Sequence, residues 1–104
     1  MNTIEKKFVD KGLVEMRPNG NWFVLSKENA KAFVEACKEA SISILGVDGF
    51  YLMGDKIQPS MENSIDFTSS SYTKTSKDNY SDAVDFINKR NDSLYFEIVC
   101  EIDE

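Results

Sequence analysis

The sequence predicts an α+β domain: a two-layer sandwich in which a mostly antiparallel sheet carries two main helices on one face. Three observations predict it. Leu94, Phe96, Ile98, Cys100 and Ile102 alternate with Tyr95, Glu97, Val99, Glu101 and Asp103, the period of a strand with one apolar and one polar face. Such a half-solvated strand belongs to an antiparallel or mixed sheet, because parallel strands are covered on both faces. Two further segments, around Phe33 and around Val84, repeat apolar residues at helical spacing.

The first element reads as a short helix from Thr3 to Lys11, with Ile4 and Phe8 one turn apart and Gly12 placed to end it. Leu13 to Met16 and Asn21 to Leu25 flank Arg17, Pro18, Asn19 and Gly20. Proline presets φ there and Asn-Gly tolerates a tight turn, so the segment predicts a β-hairpin. Ser26 then caps a helix over Lys27 to Ala40, whose Ala30, Phe33, Val34 and Cys37 form one stripe and whose Lys31, Glu35, Lys38 and Glu39 form the solvated face.

Ile42 to Leu45 and Phe50 to Met53 predict two strands separated by a kink or bulge at Gly46 and Gly49. Gly54 and Asp55 mark a turn, Lys56 to Gln58 a short strand ending at Pro59, and Ile65 to Phe67 an edge strand. The serine- and threonine-rich stretch that follows reads as an exposed loop. Tyr80, Ala83, Val84 and Ile87 predict a helix from Asn79 to Arg90, with Asp78 or Asn79 as its cap.

At 104 residues the chain is one domain, residues 1–104, and its apolar and charged fractions of 41% and 29% are those of an ordinary globular protein. No apolar run reaches the roughly 18 residues of a membrane span, and no export signal opens the chain, so the expectation is a cytoplasmic protein without a membrane role. The net charge is −6, and its distribution is uneven. Up to Ser41 seven basic residues stand against six acidic ones, whereas beyond it five stand against twelve. That surface repels a nucleic-acid backbone and attracts a basic protein.

Catalytic equipment is sparse. The chain has no histidine, which removes the usual proton-transfer group and every triad that relies on a histidine base. Its two cysteines, Cys37 and Cys100, sit on apolar stripes and read as reduced, buried thiols rather than nucleophiles or zinc ligands. Asp48, Asp55, Glu62 and Asp66 do not follow calcium-loop spacing, and Gly46, Gly49 and Gly54 do not form a phosphate loop. No enzyme activity, metal or cofactor is expected. The remaining candidates lie on the surface: the outward stripe of the last strand with Tyr95, Glu97 and Glu101, joined by Asp48 and Tyr51 as partner-binding residues. Trp22, beside Phe23 and Val24, reads as a core anchor.

The run Asn21, Trp22, Phe23, Val24, Leu25, Ser26 and Lys27 resembles the bacterial polymorphic-toxin Immunity protein 40 family. So do Ile42 to Leu45 followed by Gly46, Val47 and Asp48, and the ending in which a short helix precedes Leu94, Tyr95, Phe96, Glu97, Ile98 and Val99. The likeness extends from Leu13 to Ile102 and departs at Asp48, Gly49 and Phe50, where the family continues from the aspartate with a small apolar residue and a tyrosine. The resemblance implies a single immunity-type domain, a cytosolic antidote that binds and neutralises a cognate toxin by protein–protein inhibition. The acidity suits a basic toxin domain as partner. The alternative expectation is a small-ligand-binding or regulatory α+β domain without catalytic activity.

Overall fold

The computed structural model describes residues 3–16, 23–53, 56–67 and 79–100. Along these the order is α1 (Thr3–Asp10), β1 (Glu15–Met16), β2 (Phe23–Ser26), α2 (Lys27–Glu39), β3 (Ile44–Met53), β4 (Lys56–Asp66), α3 (Asn79–Asn88) and β5 (Tyr95–Cys100). The five strands form one sheet in the order β1-β2-β5-β3-β4, with every neighbouring pair antiparallel. The α+β architecture read from the sequence is the one observed.

Local chemistry sets the helix ends. Gly12 lies at φ +69, and the amides of Gly12 and Leu13 bond the carbonyls of Val9 and Phe8, a Schellman closure of α1 that glycine makes without strain. The Ser26 hydroxyl accepts from the Asn29 amide at the start of α2. The far end of α2 closes the way α1 does, through Ser41 N–H to Lys38 and Ile42 N–H to Cys37, but with Ser41 at φ 59 in the glycine role.

The helices cover one face. Ile4 and Phe8 of α1, Ala30, Phe33, Val34 and Cys37 of α2, and Ala83 and Ile87 of α3 pack on Leu25, Ile44, Val47, Phe96 and Ile98 of the sheet. Phe8 and Phe33 meet edge to face with ring centroids 5.0 Å apart. Each fully buried valine, leucine, isoleucine or phenylalanine of this layer contributes about 1.5–3 kcal/mol, and this layer is the main core. Lys27 ties α2 to the exit of α3, donating to the Arg90 carbonyl and to Asp92 at 2.9 Å each. The Asn79 side-chain amide donates to the Ile44 carbonyl at 2.9 Å and fixes the start of β3 against α3.

Several sequence expectations are corrected. The two strands expected on either side of Gly46 and Gly49 are one ten-residue strand, while the bulge expected at the glycines is present as register shifts between Ile44 and Gly46 and between Val47 and Gly49. The short strand expected to stop at Pro59 instead runs eleven residues to Asp66 and absorbs the predicted edge strand at Ile65. Among the described residues β4 is an edge strand, the place in a sheet where proline is tolerated, and Pro59 sits there opposite Phe50. Both long helices stop one or two residues before Ala40 and Arg90. The hairpin turn from Arg17 to Gly20, Trp22, the turn at Gly54 and Asp55, and the serine-rich stretch lie outside the described residues.

As the alternation predicts, β5 buries one face and turns the other outward: Phe96 and Ile98 are buried, Tyr95 and Glu97 are half-buried and Val99 is exposed. The strand is central, between β2 and β3. Register places Phe50 opposite Tyr95, and Val24 next to Leu25 on the outward side of β2. Both are closed off from solvent, Val24 at 0% and Phe50 at 3% exposure, yet neither belongs to the helix-side core. Part of the outer face is therefore a second apolar layer.

Candidate functional site

The site is built where β3, β4 and β5 run side by side. Asp48 of β3 stands directly opposite Glu97 of β5. On the other flank Gly46 is opposite Asp66 of β4, while Asp48 itself meets an interruption in the β3–β4 ladder. Pairing passes from Val47–Ile65 to Gly49–Ser60, so residues 61–64 of β4 bulge against the single residue Asp48.

Small side chains hold this bulge. Ser64 donates to the Ser60 carbonyl at 2.7 Å and accepts from the Gly49 amide at 3.1 Å, replacing the strand partner that the bulge removes. Asn63 donates its side-chain amide to the Ser60 hydroxyl at 2.8 Å. The backbone approach is close enough to require glycine. A Cβ on Gly49 would lie 2.4 Å from the Asn63 carbonyl oxygen, and one on Gly46 would lie 2.8 Å from that of Ile65.

The bulge throws Met61 into solvent, 85% exposed, and opens an outer-face groove of about 460 Å³. Leu45, Met61 and Val99 supply apolar lining, while Asp48, Asp66 and Ser64 supply polar atoms. Burial raises the pKa of Asp48 above the ordinary value of 3.8, and the charge of Asp66 adds to the effect. Glu97 is likewise raised above 4.5, by burial first and then by the charges of Asp48 and Glu5. Like charges set opposite each other destabilise an antiparallel pair, so this arrangement costs the free protein stability.

Of the residues picked from the sequence, Asp48, Tyr95 and Glu97 come together on the outer face, with Val99 continuing the row. Tyr51 does not join them. It follows Phe50, points to the opposite side of the sheet, and sits on the part of β3 that extends past the β5 pairing, where it is 41% exposed. Glu101 lies outside the described residues. Sequence reading missed the partnership of Asp66 and the bulge at 61–64. The signals available were Gly46 and Gly49 within a strand-prone run and a cluster of small polar residues at Ser60, Asn63 and Ser64.

Neither Cys37, which is buried, nor Cys100, which is half-buried, forms a disulfide, and their thiols adjoin. The hydrogen bond to Cys100 pushes the Cys37 pKa far up, with burial and the charge of a Cys100 thiolate acting in the same direction. A thiol so disposed stays protonated and is a poor nucleophile or metal ligand. Among the described residues no group of three or more cysteine, aspartate or glutamate side chains could hold a metal ion, and no helix is long and apolar enough to cross a membrane.

No protein-family model matches the chain, and no curated protein matches it either.

Proposed function

We propose that this chain is an immunity-type protein of the cytoplasm that binds and neutralises a cognate bacterial toxin by covering it, without chemistry of its own. The observation that carries this reading is the outer sheet face, where Asp48 and Glu97 oppose each other near Asp66, beside the exposed apolar groups of Val99 and Met61. Repulsion among these carboxylates is relieved when basic groups dock against them, so their cost in the free protein becomes affinity in the complex. The exposed apolar atoms supply the area that polar contacts alone lack. The excess of acidic residues after Ser41 steers a basic toxin domain and speeds encounter at low salt.

The test is capture and rescue. The toxin domain encoded beside this chain is expected to co-purify with it and to lose its toxicity in cells that express it. Glu97→Lys is expected to slow association by about tenfold or more at low salt, with a smaller effect at high salt. Failure of both capture and rescue overturns the reading. The groove is the observation in favour of the small-ligand alternative. A thermal-shift screen that raises the melting temperature with an uncharged small molecule, in a protein that captures no partner, would establish it.

A further inference from the structure

We propose that the outer-face groove receives one arginine side chain of the protein partner, its guanidinium held between Asp48 and Asp66 and its methylene stem laid along Val99 and Met61. The proposal rests on reading the outer face as the partner-binding surface, and it names the group that surface recognises.

The groove is a built feature of the fold. It exists because β4 carries four residues, 61–64, across from the single residue Asp48. The irregularity is held by the Ser64 and Asn63 hydrogen bonds, and it demands glycine at positions 46 and 49. A volume of about 460 Å³ falls within the range of sites that enclose small organic groups, with room for a long side chain and the flanking peptide.

The lining selects the occupant. Two carboxylates approach from adjacent strands, Asp48 on β3 and Asp66 on β4, with apolar surface from Leu45, Met61 and Val99 around them. A metal ion fits poorly, since among the described residues no three acidic or thiol groups converge on one point and the remaining walls are largely apolar. A guanidinium fits better than an ammonium. It is planar, more weakly hydrated and comfortable against apolar faces, and its five donors can serve two carboxylates at once. Glu97, opposite Asp48, adds negative charge at the rim without lining the groove, so it steers the cation in rather than holding it.

The experiment is an amide-resolved NMR titration of the full chain with N-acetyl-arginine methylamide. The uncharged citrulline analogue, the lysine analogue and calcium chloride are run in parallel. The expected result is saturable shifts at the amides of Leu45 to Asp48, Ser64 to Asp66 and Val99 with the arginine probe, weaker ones with lysine, and none with citrulline. Asp48→Asn and Asp66→Asn should each weaken arginine binding by about tenfold or more while the rest of the spectrum holds its positions. Equal shifts with citrulline, the same shifts with calcium, or arginine shifts confined to other residues overturn the proposal. The two readings fail separately. Arginine binding at these amides without toxin capture refutes the immunity function alone, whereas toxin capture undiminished in the Asp48→Asn, Asp66→Asn double variant refutes the arginine pocket alone.

Discussion

Replacing Asp48 by asparagine should make the protein more stable, and the gain should depend on pH in a defined direction. Asp48 is the shared member of two like-charge contacts, with Glu97 across β5 and with Asp66 on β4. A cross-strand pair is worth about 0.2–1 kcal/mol, and these half-exposed groups are partly screened by water. Two relieved repulsions therefore give a gain of about 0.5 kcal/mol, roughly 2–4 °C in melting temperature for a domain of this size. Burial first, and then neighbouring like charges, make the carboxyls of Asp48 and Glu97 hold their protons more tightly in the folded protein than at their ordinary values of 3.8 and 4.5. Below those values both groups are neutral folded and unfolded, and no penalty exists. As pH rises through the raised folded values the charges form and stability is lost, since the folded state there binds more protons than the unfolded one. The Asp48→Asn gain should thus be full at neutral pH and vanish below about pH 3. It should also shrink in 1 M salt, where the screening length is about 3 Å. Urea denaturation of both proteins across this pH range is the assay. A variant less stable at neutral pH, or a gain that persists unchanged in acid, would refute the like-charge reasoning.

Gly49→Ala should cost about 1–3 kcal/mol, because its methyl would meet the Asn63 backbone oxygen at 2.4 Å and the bulge would have to move; chemical denaturation reads the loss, and NMR should place the disturbance in residues 60–66. Ser64→Ala leaves the Gly49 amide without its acceptor and should cost about 1–2 kcal/mol, with faster hydrogen exchange at that amide; protection unchanged from the parent protein would contradict the bond. Ser26→Ala should remove about 1 kcal/mol by uncapping α2, measurable as a lower urea midpoint. Cys37, buried and held as the neutral thiol, should resist a thiol reagent in the native protein at pH 8 and react once urea unfolds it; rapid native labelling of Cys37 would show that the thiol is neither shielded nor held protonated.

The helices were legible because the information that makes them is local. Stripe, cap and stop signal lie within a few residues of one another, as Ser26, Ala30, Phe33, Val34 and Cys37 do for α2. The alternation of β5 was equally readable, since side-chain period needs no knowledge of neighbours. With those came the α+β class and the set of residues able to fill the core.

Where each strand lies in the sheet was a different matter. Nothing near Tyr95 or Glu97 says that β5 enters between β2 and β3, and that insertion sets Glu97 directly opposite Asp48. The same applies to Gly46 and Gly49: locally they read as a kink or bulge between two strands, and only the approach of β4 shows that they are close-contact points inside a continuous strand. Tyr51 and Asp48 are three residues apart in sequence yet project from opposite faces, while Asp48 and Asp66, eighteen apart, line one groove. Local sequence thus determined which residues form each helix and which face of the last strand is apolar, because backbone propensity and side-chain period act over a few residues. Strand order, register and the bulge at 61–64 decided which carboxylates meet and where a partner can enter, because cross-strand pairing and its hydrogen bonds are settled between segments far apart in the chain.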